Sequence, residues 1–233
     1  EYFVAHPSVV RRVDGRIQPL TAHLSLLGST GLAGWAAFCL AEARARDNIF
    51  VSAAAGAVGN VIGQLAKLKG CYVAGAANSD EGAAMLVSEL GFDTAFNGSQ
   101  ADLYQELDVA FPHGIDVYFD NVGGAQLKVV LGAMRSEGRI VTCGEHTVFD
   151  QLALLKRTRN RALFISKRLT MKGFLVSDWL ALAPVFQKTI SEHLLAGRLR
   201  AADTVIEGIE RAPHAFGLLS RNESLGKIIV KLT

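Results

Sequence analysis

Apolar residues along this chain follow two rhythms: short unbroken runs, and runs spaced at three and four. The clearest succession lies between Asn48 and Ser79. Ile49–Ser52 is an apolar run of strand length, and Ala53–Gly59 is a run of small residues. Val58, Val61, Ile62, Leu65, Ala66 and Leu68 then recur at helical spacing, which predicts a helix with one apolar face. Cys71–Ala76 is a second buried-strand run. The stretch predicts a strand–turn–helix–strand unit with glycines where the helix begins.

The rhythms continue in both directions. Leu32–Ala45, after the break at Gly28–Gly31, is Ala-rich, apolar on most sides and predicts a largely buried helix. Ser79 or Asp80 caps a helix that Gly91 stops, and Thr94–Phe96 is a short strand. Leu103–Phe111 predicts a helix ended by Pro112, Ile115–Phe119 a strand, and Asp120–Gly124 the turn after it. Ala125–Met134 predicts a helix and Gly138–Cys143 a fifth strand, followed by a turn from Gly144. Leu169–Val176 predicts a sixth strand and Leu180–Leu195 a long helix closed by Gly197.

Strands alternating with helices predict an α/β fold, a doubly wound, parallel, six-stranded sheet of the Rossmann type. Ligands in such sheets sit beyond the carboxyl ends of the strands. The turns at Ala53–Gly59, Ala77–Ser79, Asp120–Gly124, Gly144–Phe149 and Ser177–Asp178 should therefore form one cleft. The tail breaks the alternation. Thr204–Gly208 and Gly226–Leu232 predict strands with a helix at Ala212–Leu219 between them. They belong, with the first residues of the chain, to a second unit too small to make a core alone.

The first turn suits a phosphate. Gly56 lets backbone approach a pyrophosphate, Gly59 lets the helix sit close to the sheet, and the helix start offers unpaired N–H groups and the positive dipole end. The pattern is Ala54-x-Gly56-x-x-Gly59, with Ala where the dinucleotide fingerprint has its first Gly. A packing turn with no ligand is the other reading of the same glycines.

Composition narrows the classes. The chain has 233 residues, half of them apolar, which is enough for a sizeable core. A net charge of +2 with mixed signs gives no nucleic-acid surface. Cys39, Cys71 and Cys143 fall in apolar runs without metal-ligand spacing and read as small core residues of a reduced, cytoplasmic protein. The scattered histidines give no metal pattern. No apolar run is long and uncharged enough for a membrane span, and the opening Glu1-Tyr2-Phe3 is not signal-peptide-like.

The strings VSAAAGAVGNVIGQLAKLKGCYV, GIDVYFDNVGG, GRIVTCGE, LTMKGFLVSD, VIEGIERAPHAF and LGKIIVKL, in that order, resemble the zinc-independent medium-chain dehydrogenases/reductases, in the alkenal double-bond and prostaglandin (leukotriene) reductase branch. The resemblance covers nearly the whole chain. Such proteins also carry an N-terminal, barrel-like substrate domain of about a hundred residues. The resemblance therefore divides the chain into a remnant of that GroES-like domain at 1–19, the dinucleotide-binding domain at 20–200, and the return segment of the catalytic domain at 201–233. It implies hydride transfer from NADPH to the activated C=C bond of an enone or enal, without zinc, and a homodimer formed through the edge strand near Leu169–Val176. By the same resemblance Ala55, Gly56, Ala57 and Val58 hold the pyrophosphate; Asn78 and Ser79, where an acid would bind an NAD ribose, are expected to recover part of the coenzyme binding lost with the family's Lys. Asn121 touches the nicotinamide half, Cys143 and Gly144 lie beside the coenzyme, Phe174 to Val176 back the nicotinamide, and Asn222 reaches it from the C-terminal segment.

The chain departs from that family in specific places. Ala76-Ala77-Asn78-Ser79 stands where an NAD-binding carboxylate would be, which favours NADPH. Yet the GSDEK-like string of the family, with its Lys, reads Asn78-Ser79-Asp80-Glu81-Gly82. A hydrogen bond to a charged group is worth ~1.5–3 kcal/mol, so losing that Lys weakens NADPH by roughly one to two powers of ten. The FNYK-like string has lost its Tyr in Phe96-Asn97-Gly98-Ser99, and Ser29 and Ala33 replace a Met and a Thr near the coenzyme. The family Tyr held to position or protonate the enolate is Phe149.

No catalytic residue is assigned. His146 is a candidate proton donor or a solvated loop histidine, Asp120-Asn121 a coenzyme contact or a helix cap, and the run Lys156-Arg157-Arg159-Arg161 a solvated face or a group near the phosphates. The expected activity is NADPH-dependent enone or enal reduction. The alternatives are an NADPH-dependent quinone reductase and a nucleotide-binding sensor that has lost catalysis.

Overall fold

A computed structural model describes residues 4–6, 10, 12–99, 102–144, 161–221 and 223–232. The central sheet has the order β3-β2-β1-β4-β5-β6, all parallel. Its strands are β1 (Asn48–Val51), β2 (Tyr72–Ala77), β3 (Thr94–Asn97), β4 (Ile115–Asp120), β5 (Met134–Thr142) and β6 (Thr170–Gly173). The helices α1 (Ser29–Ala41), α2 (Gly59–Leu68), α3 (Asp80–Ser88), α4 (Leu103–Ala110), α5 (Gly124–Ala133), α6 (Arg161–Lys167) and α7 (Ala183–Leu195) cover it.

The period of two explains why β1, β2 and β4 read as unbroken apolar runs: both of their faces are buried. Ile49, Val51, Val73, Val117 and Phe119 face a core closed by α1, α2 and α3. Phe50, Ala74, Ala76 and Tyr118 face the opposite core, closed by α4 and α5. Phe50 lies between Phe96 and Tyr118, with ring centroids at 5.9 and 5.4 Å and near-parallel planes. A third cluster joins Ile17, Leu26, Leu32, Phe186 and Ile190 to α2, so α7 and the segment before α1 pack outside the first helix layer.

Boundaries shift where hydrogen-bond partners end. β6 stops at Gly173, opposite the last residue of β5, Thr142. Phe174–Val176 therefore has no ladder to continue, and the chain turns into a 3₁₀ helix at Val176–Leu182. That turn holds Trp179, and α7 begins at Ala183 with Pro184 in its first turn, where a missing N–H is harmless. α1 ends at Ala41 rather than Ala45, because Glu42 takes a left-handed conformation (φ 50°). Arg139 donates to the carbonyls of Ala41 and Glu42, and Lys172 to that of Leu40, so two cations cap this end. The reading of all three cysteines as core residues fails at Cys39, which is exposed; Cys71 is buried and Cys143 half-buried.

β7 (Asp203–Glu207) and β8 (Lys227–Lys231) form a separate two-stranded parallel sheet, with α8 (Ala212–Ser220) between them in sequence. One isolated bridge ties it to the turn after the central strand β1: Gly56 pairs with Gly226, and the Gly226 N–H donates to the Ala55 carbonyl at 2.7 Å.

Candidate coenzyme cleft

The sheet order reverses between β1 and β4, and a cavity of about 340 Å³ opens beyond their carboxyl ends. That volume lies in the range of small-molecule sites. One wall is the turn after β1. Ala53 starts it in the left-handed region (φ 45°), a conformation uncommon for a residue with a Cβ. Gly56 N–H closes the turn onto the Ala53 carbonyl at 3.0 Å. The N–H groups of Ala57 and Val58 make no hydrogen bond among the described residues and line the cavity at the start of α2. Unpaired amides at the positive end of a helix dipole make this turn a candidate anion cradle.

Close packing fixes the cradle. A Cβ on Gly59 would stand 2.5 Å from the Ala53 carbonyl oxygen, and one on Gly75 would meet Ala54 at 2.8 Å. Two buried amides brace it from below. Asn60 donates to the Gly56 carbonyl at 2.6 Å, and Gln64 exchanges bonds with the Arg200 backbone at 3.1 and 2.8 Å. Gln64 also reaches Asn60 Oδ1 at 3.4 Å, so a polar line runs along α2 from the turn to the chain entering β7.

Beyond β4 a buried network sets the second wall. Tyr118 donates to Asp120 Oδ1 at 2.8 Å, and the same oxygen accepts from Gly123 N at 2.7 Å and Val122 N at 3.2 Å. The Asn121 backbone donates to Ser52 Oγ at 2.9 Å and its side-chain amide to the Ser52 carbonyl at 2.7 Å. The network joins the ends of β1 and β4 and seats Asn121 in the cavity wall. Burial, and then the Asp120 carboxylate, hold the Tyr118 hydroxyl well above its ordinary pKa, so it stays a donor. The same two causes push the Cys143 thiol up to about 12.

Of the residues named from sequence, Ala55, Gly56, Ala57, Val58, Asn78, Ser79, Asn121, Cys143 and Gly144 all line this one cavity. Ser79 Oγ accepts from Gly82 N at 3.0 Å and caps α3. Phe174 packs against the sheet's first core and Val176 against the third cluster; neither lines the cavity, and nor do Ser177 and Asp178. His146, Phe149, Asn222 and the basic run from Lys156 to Arg159 lie outside the described residues. Sequence reasoning missed Thr30, from the start of α1, and the wall built by Leu219, Ser224, Leu225 and Lys227. Gly82, in the first turn of α3, was the available signal for the latter: Leu225 would lie 3.1 Å from a Cβ there. Among the described residues no group of three or more His, Cys, Asp or Glu is placed to hold a metal ion, and no helix is long and apolar enough to cross a membrane.

Comparison with known proteins gives a consistent set. The family model described as zinc-binding dehydrogenase matches residues 57–192. A 2-alkenal reductase (NADP(+)-dependent) of Nicotiana tabacum is 37% identical over 236 residues, covering 100% of this chain and 68% of its own length. Prostaglandin reductase 1 of Bos taurus is 40% identical over 222 residues, covering 91% of this chain and 67% of its own. The crystal structure of CurA in complex with NADPH from Vibrio vulnificus superposes with a TM-score of 0.82 at 29% identity, over 93% of this chain and 66% of that one. The chain thus spans about two thirds of the length of these relatives.

Proposed function

We propose a function from one premise: the chain belongs to the zinc-binding dehydrogenase family, among the medium-chain reductases of the alkenal and prostaglandin reductase branch. The protein is an NADPH-dependent oxidoreductase that reduces the activated C=C bond of an enone or enal without zinc. The observation that carries this reading is the cavity at the switch point, lined at its first turn by Ala57 and Val58, whose amides have no hydrogen-bond partner among the described residues. A bound NADPH supplies the hydride. The chain's own residues bind and orient it: Ala55 to Val58 take the diphosphate, Asn78 and Ser79 the adenosine ribose, and Asn121, Cys143 and Gly144 the nicotinamide half. Phe174 and Val176 act from behind the sheet edge, Asn222 from the return segment, and His146 is the candidate proton donor.

Residues 1–19 and 201–233 belong to a barrel-like substrate domain and 20–200 to the coenzyme domain. The separate β7–β8 sheet and the relatives' greater length support that division. The protein pairs as a homodimer through β6, the edge strand of its sheet, which carries the exposed Met171. Its free thiols suit the reducing cytoplasm.

The test is loss of NADPH absorbance with a panel of enals, enones and quinones, alongside thermal unfolding with and without NADPH. Turnover of enals or enones with a coenzyme-dependent rise in Tm is expected. No protection and no turnover would remove the reading, and preference for quinones would move it to the neighbouring activity.

A further inference from the structure

The phosphates of a dinucleotide in this cavity would call for a cation, and α3 does not provide one. Its first turn carries Asp80 and Glu81, its Ser79 hydroxyl is committed to Gly82 N, and Asp80 Oδ1 accepts from Asn97 at 2.9 Å. Position 82 itself is a glycine, packed against Leu225 and Ala55. Among the described residues lining the cavity, Lys227 is the single cationic side chain.

Lys227 opens β8, directly after the Gly226 that pairs with Gly56 and donates to the Ala55 carbonyl. Its backbone is therefore fixed beside the anion cradle. The Lys227 N–H donates to the Ala202 carbonyl at 3.0 Å, which locks that placement. Its ammonium makes no ion pair or hydrogen bond among the described residues, although Glu223 lines the same cavity. In the β7–β8 register it stands opposite Asp203, whose two carboxylate oxygens are buried and have no hydrogen-bond partner among the described residues.

We propose that Lys227 is the coenzyme's phosphate-binding cation in this chain and that it acts on the diphosphate next to the Gly56 turn, leaving the 2′-phosphate to hydrogen bonds around Asn78 and Ser79. This rests on the dinucleotide reading of the cleft. An ammonium on the diphosphate contacts a group that NADPH and NADH share, so it tightens both coenzymes alike.

The test measures Kd for NADPH and NADH by titration calorimetry on the full chain, at two salt concentrations, for the parent, Lys227→Met, Lys227→Gln and Lys227→Arg. Lys227→Met and Lys227→Gln are expected to weaken both coenzymes by about 10- to 100-fold and to flatten the salt dependence. Lys227→Arg is expected to keep most of the affinity. Thermal unfolding without coenzyme checks that each variant is folded, and Lys227→Gln supplies a neutral polar replacement if the apolar Met variant fails. A parent that binds with variants unchanged overturns the assignment and leaves the cleft reading intact. A loss confined to NADPH also overturns it, by moving Lys227 to the 2′-phosphate. A parent that binds neither coenzyme overturns the cleft reading itself.

Discussion

Gly59→Ala tests whether the turn after β1 is shaped by contact rather than by composition. The added Cβ would stand 2.5 Å from the Ala53 carbonyl oxygen and 2.8 Å from the Ala54 Cα. Both neighbours are backbone atoms, so no side chain can rotate away, and α2 must retreat from the sheet. Overpacking of this kind costs ~1–3 kcal/mol. Replacing Gly by Ala inside a helix returns at most ~1 kcal/mol, and less here, where Gly59 is the first helical residue. The net loss is about 1–2 kcal/mol, which in a chain of this size lowers Tm by roughly 2–8 °C. Gly56→Ala is the matched control. Its Cβ meets only the Ala53 oxygen, at 3.1 Å, and otherwise stands in the cavity. Stability should fall by less than ~1 kcal/mol, while NADPH affinity falls at least about ten-fold because the diphosphate is held off its amides. Thermal unfolding without coenzyme and NADPH titration separate the two effects. If Gly59→Ala melts with the parent, or Gly56→Ala binds NADPH like the parent, the contact account of this turn is wrong.

Three further outcomes are expected. Tyr118→Phe deletes the donor to buried Asp120 and the hydroxyl contact with Ser52 and lowers stability at neutral pH by about 1.5–3 kcal/mol, read by urea unfolding. In the parent, Tyr118 and Cys143 have folded pKa values above their unfolded ones, so the unfolded chain loses protons first. Stability is therefore full below the unfolded values and falls as pH rises toward the folded ones, by up to ~1.4 kcal/mol per unit for each group; unfolding of Tyr118→Phe across pH 9–11 (roughly the range of unfolded thiols and phenols) should show a shallower fall. Gln64→Leu breaks the paired bonds to the Arg200 backbone and leaves those groups unsatisfied, and amide exchange should quicken in β7 and β8 before it does in β1 or β4. Lys167 donates to the carbonyls of Gly132 and Met134 at 2.6 and 2.7 Å, so Lys167→Met uncaps α5 at a cost of ~1–2 kcal/mol, seen in chemical denaturation.

The sheet and the turn were legible because their signals are local. β1, α2 and β2 each announce themselves within a dozen residues: an apolar run, small residues, a helical stripe. Asn121 sits in a turn picked out by the rule that ligands gather at carboxyl ends of strands, and Cys143 was named by the resemblance to the reductases; both line the cavity. What escaped depends on contacts distant in sequence. Thr30 lines the cavity from α1, and Leu219 to Lys227 from the return segment, and nothing near either in sequence refers to the other. Asn60 and Gln64 are 3% and 4% exposed on a helix whose apolar stripe masked them; two amides four residues apart on a buried helix were the readable sign. Leu169–Val176 read as one strand because apolar residues resume at Phe174, Leu175 and Val176, yet the ladder stops at Gly173 for want of a neighbour.

The bond between Gly226 and Ala55 also orders events at the ribosome. The cradle emerges early, and β2 through β6 must be synthesised before its brace appears. A nascent chain can therefore complete its central sheet while the coenzyme wall is still missing, and a premature stop ahead of β8 would release a protein with a sound core and an unfinished pocket.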